Sequence, residues 1–120
     1  FVQVAGMEAI TGDQTKVYEM LNEYKERRDL LCDGLNSIRG ISCIKPSGAF
    51  YIFANIKKTG LSSEEFTNYL LEDANVSILP GTNFGKSGEG YVRLCYAINK
   101  ENIIEGLKRI KKSVEQLWLE

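Results

Sequence analysis

The sequence predicts a two-layer α/β (α+β) sandwich, in which a small, mostly antiparallel sheet of three or four strands packs against three helices. Two segments, 49–56 and 91–97, are apolar with the alternation typical of strands. Three other segments repeat apolar residues at steps of three and four, which is the period of an amphipathic helix. Because glycine, proline and cap residues separate the segments, the predicted element order is αββαββα, with a long first helix.

Composition restricts both the number of domains and the kinds of partner. The chain has 120 residues, 43% of them hydrophobic, which is enough for one globular domain with a core. Its 15 basic and 16 acidic residues give a net charge of -1, so we expect no nucleic-acid and no membrane partner. No apolar run reaches the roughly 20 residues of a membrane span, and no signal-peptide pattern opens the chain.

Cysteine and histidine usage excludes several kinds of site. Cys32, Cys43 and Cys95 lack metal-ligand spacing, and the sequence contains no histidine. Histidine-dependent catalytic triads and most zinc sites are therefore excluded, and we expect no metal site. An odd set of cysteines favours reduced thiols in a cytoplasmic protein. The chain opens on Phe1 rather than on methionine, so we expect it to be a piece of a longer polypeptide.

The long first helix is predicted over 13–40, with Asp13 as its N-cap and Gly40 as its stop. Its apolar stripe is interrupted at Arg28. The stripe consists of Val17, Leu21, Tyr24, Leu31, Leu35 and Ile38. A helix of about 26 residues is close to 40 Å long, which exceeds the core of a domain of this size. Either its first half and the apolar segment 1–10 pack on something missing from the chain, or the helix is bent or covered by other helices.

The remaining elements follow from caps and turns. The predicted strands are 41–44, 49–56, 76–79 and 91–97. The second of them is apolar on both faces and is therefore expected to be central in the sheet. Ser62 and Glu65 form a capping box that opens the second helix, which ends near Asn75. Asn99 caps the final helix, whose basic edge we interpret as a solvated face.

Arg93 is the residue that a purely structural interpretation explains least. In the strand 91–97 it lies on the face opposite Val92 and Leu94, and both faces are largely apolar. An unpaired cation there needs an anion or access to water, and no acidic residue lies near it in the strand. Its planar guanidinium suits a ligand carboxylate held by two parallel hydrogen bonds. The alternative is an arginine that reaches solvent or pairs with a distant glutamate.

The glycine-rich loop before this strand is similar to a phosphate-binding P-loop but does not match it. Three residues separate Gly81 from Gly85, where the motif requires four, and the loop leads into a strand rather than a helix. Nucleotide binding is therefore not predicted. We expect the loop to be a connection between strands or a flap over a ligand.

Three motifs lie in order along the chain. They are Pro-Ser-Gly-Ala-Phe-Tyr-Ile-Phe at 46–53, Leu-Pro-Gly-Thr-Asn-Phe-Gly at 79–85 and Tyr-Val-Arg-Leu-Cys-Tyr-Ala at 91–97. Together they resemble the C-terminal small domain of class I/II (fold type I) pyridoxal-phosphate-dependent aminotransferases, most of all bacterial aspartate aminotransferase, in which a helical stretch similar to 25–36 precedes them. The similarity extends over nearly the whole chain. It implies that residues 1–12 are the remnant of a large domain and that residues 13–120 are the small domain.

The resemblance implies an anion for Arg93. In the family, the arginine at this position binds the α-carboxylate of the amino-acid or 2-oxo-acid substrate, and the turn at Gly48 and Phe50 lies beside it. The implied substrate-binding residues are therefore Arg93, Gly48 and Phe50. Phe84 would lie near the entrance of the site, unless it is a core phenylalanine. For the full-length protein the resemblance implies an aminotransferase that uses pyridoxal 5′-phosphate and acts as a homodimer.

The family's cofactor-binding motifs are missing from this sequence. In the family, the lysine that forms a Schiff base, the aspartate that pairs with the pyridinium nitrogen and the phosphate-binding residues belong to the large domain. The chain is therefore expected to hold no catalytic and no cofactor-binding residue and to be inactive alone. Two alternatives remain: a free-standing amino-acid-binding or regulatory α/β module, and a lyase or decarboxylase that uses the same cofactor on the same scaffold.

Overall fold

Residues 1–119, which the computed structural model describes, form four helices and one four-stranded sheet. The helices are α1 Val2–Thr11, α2 Thr15–Asn36, α3 Ser63–Ala74 and α4 Lys100–Gln116. The strands are β1 Ser42–Cys43, β2 Tyr51–Asn55, β3 Leu79–Pro80 and β4 Tyr91–Cys95. The sheet order is β1-β2-β4-β3, and every neighbouring pair is antiparallel. The predicted fold class is confirmed, with α1 as an additional helix ahead of the predicted order.

One face of the sheet forms the core together with α2, α3 and α4. On this face Ile52 of β2 pairs with Leu94 of β4, and Ala54 pairs with Val92. The helices cover these pairs with buried apolar side chains, among them Leu31, Leu35, Phe66, Leu70, Ile110 and Val114. Burial of each large side chain contributes about 1.5–3 kcal/mol. Because a slip of one residue would move this whole set to the other face, the core fixes the register of β2 against β4.

The opposite face of the sheet is uncovered within the described chain. β2 lies between β1 and β4, so its central position is confirmed. Only one of its two apolar faces is buried, however, because Phe53 is 40% exposed. Tyr51, Tyr91 and Arg93 lie on the same open face and are partly buried. The apolar residues that made β2 look buried on both sides therefore belong to a surface that residues 1–119 leave open.

The start of the chain projects away from this core. All ten residues of α1 are exposed, and so are Val17, Tyr18, Met20 and Leu21 in the first half of α2. The molecule is accordingly 61 Å long but only 30 by 23 Å in cross-section. Of the two alternatives for the long helix, the one in which other helices cover its first half is wrong for the described residues. In residues 1–119, no helix combines the length and apolar content that crossing a bilayer requires.

The bounds of α2 differ from the predicted 13–40. The helix begins at Thr15 after Gln14, and Asp13 accepts hydrogen bonds from the Thr15 amide at 3.0 Å and hydroxyl at 2.6 Å. Asp13 therefore binds the first helical residue from one position ahead of the cap. The helix ends at Asn36, and Gly40 lies beyond it in a turn with a φ of +89°. This positive φ is the left-handed conformation that favours glycine.

The predicted caps of the other helices are confirmed. Ser62 Oγ accepts from the Glu65 amide at 3.3 Å, and the Glu65 carboxylate accepts from the Ser62 amide at 2.8 Å. These hydrogen bonds with Ser62 lower the pKa of the Glu65 carboxyl. Asn99 Oδ1 accepts from the Asn102 amide at 2.8 Å at the start of α4. Local side-chain chemistry thus determines where α3 and α4 begin.

The third strand is shorter than predicted. It comprises only Leu79–Pro80, whereas the apolar pattern indicated 76–79. The reason is the exit from α3, where Asn75 adopts the left-handed conformation and the Val76 amide still donates to the carbonyl of Leu70 at 3.1 Å. The backbone at Val76 is therefore part of the helix cap and is not available to the sheet.

Gly106 offers a test of the packing of α4. A methyl group at Gly106, in the middle of the helix, would meet no atom within 4 Å, whereas one at Gly34 of α2 would lie 2.3 Å from Leu107 Cδ1. We expect Gly106→Ala to raise the free energy of unfolding by about 0.5–1 kcal/mol, because alanine favours the helix over glycine. The matched substitution Gly34→Ala has the same helix preference, but overpacking against the Leu107 side chain costs about 1–3 kcal/mol, so we expect a neutral to lowered free energy of unfolding. Urea unfolding followed by circular dichroism measures both, and equal effects of the two substitutions would contradict this packing.

Candidate functional site

Arg93 lies on the open face of the sheet. Its neighbours Val92 and Leu94 point into the core, so strand alternation places Arg93 on the opposite side. In the ladder it is opposite Phe53 of β2 and Leu79 of β3, which are both about two-fifths exposed. The buried residues Val92 and Leu94 thus hold the strand in place. As a result, the Arg93 side chain lies on the open face, where a ligand or another domain can contact it.

Two aromatic rings contact the guanidinium. Arg93 Cζ lies 3.9 Å from the ring centroid of Phe84 and 4.2 Å from that of Tyr51. A cation over a ring at this distance is stabilised by about 0.5–1 kcal/mol at an exposed site. Phe84 is 47% exposed, so the interpretation of Phe84 as a core residue is wrong.

Arg93 forms no salt bridge with any carboxylate of residues 1–119. The alternative of a distant glutamate partner therefore finds no support in the described chain. The rings stabilise the cation through their faces, but they cannot accept the in-plane hydrogen bonds that its N–H groups donate. A charged group with this arrangement can bind the two oxygens of a carboxylate.

The turn that contains Gly48 and Phe50 lies next to the same face. Phe50 is 41% exposed, and its ring centroid is 4.4 Å from that of Tyr51, which in turn contacts Arg93. Gly48 is exposed, and a methyl group on it would meet no atom within 4 Å. The structure thus connects Phe50 to Arg93 through Tyr51, whereas Gly48 is exposed and borders open space.

The glycine-rich loop is built by close backbone contact. A methyl group on Gly88 would lie 1.9 Å from the carbonyl oxygen of Gly81, and one on Gly81 would lie 2.2 Å from the carbonyl oxygen of Gly88. Both glycines are buried. Two glycines of this loop are therefore explained by close packing of the backbone rather than by phosphate binding. The loop connects β3 to β4, and it carries Phe84 to Arg93.

Ser63 anchors this loop, and the sequence analysis did not identify it. It is fully buried, and its hydroxyl accepts from the amides of Gly90 at 2.9 Å and Tyr91 at 3.2 Å and donates to the carbonyl of Gly88 at 3.3 Å. Its own amide donates to the Glu89 carboxylate at 3.0 Å. The sequence around this position shows only the capping box of the adjacent Ser62. The spacing does not show that Ser63 forms hydrogen bonds with residues 25 or more positions away.

Two of the three thiols lie close together on the edge opposite the loop. Cys32 Sγ and Cys43 Sγ are 3.4 Å apart, and Asn36 binds both the amide and the carbonyl of Cys43. Burial raises the pKa of the Cys43 thiol to about 12, and the hydrogen bond with Cys32 acts in the same direction. Cys95 is exposed and lies apart. Within residues 1–119, no cluster of three or more His, Cys, Asp or Glu side chains could hold a metal ion.

The lysines of the described chain lie at the surface. A lysine that forms a Schiff base must lose its proton, which desolvation favours. Every lysine in residues 1–119 is exposed except Lys100, which is partly buried. Lys100 pairs with the Glu26 carboxylate, and this hydrogen bond raises the pKa of the ammonium group. Among residues 1–119, no lysine is therefore buried in the way that favours loss of the ammonium proton.

Comparison with known proteins identifies relatives along the whole chain. The model of the family "Aminotransferase class I and II" matches residues 1–110. An aspartate aminotransferase of Pyrococcus horikoshii is 50% identical over 117 residues, which are 96% of this chain and 30% of that protein. An aromatic-amino-acid aminotransferase of Thermococcus litoralis is 42% identical over 118 residues, with 97% and 30% covered.

The fold comparison agrees with the sequence comparison. The crystal structure of an aromatic aminotransferase from Pyrococcus horikoshii superposes with a TM-score of 0.83 and 43% sequence identity, over 88% of this chain and 28% of that one. The chain spans about 30% of the length of the curated relatives that it matches. Its three motifs, its sheet and its matched residues place it, as the resemblance implied, in the family of class I and II aminotransferases.

Proposed function

We propose that this chain is the substrate-carboxylate-binding small domain of a pyridoxal-phosphate-dependent aminotransferase similar to aspartate aminotransferase. The observation that carries the proposal is Arg93, a cation on an open sheet face with two aromatic contacts and no carboxylate partner in residues 1–119. It binds the α-carboxylate of the amino acid or the 2-oxo acid. Gly48 permits close approach of the ligand to the backbone, and Phe50 borders the bound carboxylate.

The rest of the site comes from a large domain outside this sequence. Residues 1–12 are the end of that domain, and residues 13–120 are the small domain. Two observations support this division: α1 is exposed along its whole length, and the first half of α2 exposes four large apolar side chains. An uncovered apolar surface of this extent is typical of an interface with another domain. The large domain supplies the cofactor, and the parent protein acts as a cytoplasmic homodimer.

The role of this chain is to bind and to orient the substrate. Bidentate binding by Arg93 fixes the carboxylate in the plane of the guanidinium, and therefore determines where the Cα–H bond lies relative to the cofactor. The open aromatic face excludes water once the second domain covers it. When bound, the cofactor of the parent protein supplies the electron sink for proton removal at Cα.

Two measurements on different forms of the protein test the proposal. The full-length protein, loaded with pyridoxal phosphate, should transfer the amino group of an amino acid to a 2-oxo acid, which chromatography of both products detects. The 120-residue chain should bind no amino acid in titration calorimetry, because half a site lacks the partner surface. Circular dichroism must show that the chain is folded. Tight binding by the isolated chain would favour the regulatory module, and absence of transamination by the loaded full-length protein would overturn the proposal.

A further inference from the structure

Arg28 occupies a position of the α2 stripe where an apolar residue is expected. Its side chain is only 21% exposed, and the guanidinium binds one residue of α2 and one residue of the turn after β1. Nε donates to the Asp29 carboxylate at 2.8 Å, and Nη1 donates to the carbonyl oxygen of Pro46 at 3.2 Å. Hydrogen bonds that involve a charged group are roughly twice as strong as neutral ones. Arg28 therefore fastens the turn after β1 to the helix.

The turn from Lys45 to Phe50 is held at both of its ends. At the first end, the Lys45 ammonium lies 3.2 Å from the Asp29 carboxylate, next to the bond from Arg28 to Pro46. At the second end, the hydroxyl of the buried Tyr96 donates to the Ala49 carbonyl at 2.7 Å. The Tyr96 amide also donates to the Phe50 carbonyl at 3.0 Å. Ser47 and Gly48 form the exposed apex between these two anchors.

The backbone of this turn is under strain. Ala49 has a φ of +60°, in the left-handed region that alanine rarely adopts. Such a conformation persists only where the surrounding contacts hold it. The contacts that hold it are those of Arg28 and Asp29 on one side and those of Tyr96 on the other. The first set of contacts involves neither the buried core nor the sheet ladder, so we expect its removal to let the residues before Ala49 relax while both remain intact.

We propose that Arg28 is a positioning residue for substrate binding, which keeps the Gly48 turn in the conformation that accepts the substrate carboxylate. The inference rests on the proposed function, since it concerns the same carboxylate site. The structural link is continuous: Arg28 binds Pro46, the turn ends at Phe50, and the Phe50 ring packs on Tyr51, which contacts Arg93. Asp29 orients Arg28, and the hydrogen bond from Arg28 keeps the pKa of this carboxyl below its usual range.

The proposal predicts specific changes in KM and kcat. A ligand that binds only one conformation of a turn shows an apparent dissociation constant that increases as that conformation becomes less populated. Loss of the Arg28 contact should therefore raise KM for the amino acid and for the 2-oxo acid by the same factor. It should leave kcat nearly unchanged, because the turn is in its correct place once the substrate is bound.

The experiment compares three variants of the full-length, cofactor-loaded enzyme. We expect Arg28→Gln to raise both KM values about 10-fold with kcat within about 2-fold, as one lost charged hydrogen bond implies. Arg28→Lys retains the charge and should recover part of the loss. Arg109→Gln, which removes an arginine from an exposed pair with Glu105 on α4, is the matched control and should change neither parameter. Hydrogen–deuterium exchange should show faster exchange of the peptide 44–50 in Arg28→Gln alone.

The outcomes separate this inference from the proposed function. An active enzyme in which Arg28→Gln leaves KM and the exchange of 44–50 unchanged overturns the positioning role alone. The same holds if Arg28→Gln lowers the melting temperature but leaves KM unchanged well below it, since the residue is then only structural. A loaded wild-type enzyme without transaminase activity overturns the proposed function and this inference with it.

Discussion

Replacement of Arg93 by lysine in the full-length enzyme should raise KM for amino-acid substrates by about 10- to 100-fold, the effect of one or two lost charged hydrogen bonds. Lysine keeps the positive charge but not the planar pair of donors that a carboxylate needs. It also loses the broad contact of the guanidinium with the rings of Tyr51 and Phe84. Steady-state kinetics with several amino acids measures the effect.

The control for Arg93→Lys is the same substitution at Arg109, whose guanidinium makes only an exposed salt bridge at 2.8 Å within α4. Arg109→Lys should leave KM unchanged, since exposed pairs contribute little. Arg93 is partly buried and makes no salt bridge within the described chain, so Arg93→Lys should preserve the fold, which a thermal melt checks. Unchanged KM for every amino acid would contradict the carboxylate-binding role.

The sequence was sufficient for features that are determined locally. The capping box of Ser62 and Glu65 and the cap at Asn99 are contacts between residues three apart, and the structure confirms them. The alternation in β4 predicted that Arg93 lies on the other face of the sheet from Val92 and Leu94, and that placement is also confirmed. When a structural feature depends on residues within one helical turn or one strand repeat, those residues can be recognised directly in the sequence.

The sequence was insufficient where distant segments meet. Phe84 reaches Arg93 from a loop in which the backbones of Gly81 and Gly88 approach closely, and the hydrogen bond from Arg28 to Pro46 spans 18 residues. The apolar residues of α1 and of the first half of α2 also gave an ambiguous signal, because nothing in residues 1–119 buries them. A hydrophobic pattern shows that a face needs a partner, but it does not show what that partner is.

The glycine pair of the β3–β4 loop should be indispensable for the fold. We expect Gly88→Ala to lower the free energy of unfolding by about 3 kcal/mol or more, because overpacking against rigid backbone cannot be relieved by a rotamer change. The added methyl group would lie 1.9 Å from the Gly81 carbonyl oxygen. Separation of the two backbones would also break the hydrogen bond from the Ser63 hydroxyl to the Gly88 carbonyl oxygen and move Phe84 away from Arg93.

Gly48→Ala is the matched control for Gly88→Ala, since it adds the same methyl group where no atom lies within 4 Å. Neither glycine has a positive φ, so strain from an unfavourable backbone conformation contributes to neither substitution. The difference between the two variants in urea unfolding therefore isolates the close approach of Gly81 and Gly88. If Gly88→Ala were no more destabilising than Gly48→Ala, the two backbones could separate without lowering the free energy of unfolding. The placement of Phe84 over Arg93 would then need a cause other than the packing of these two glycines.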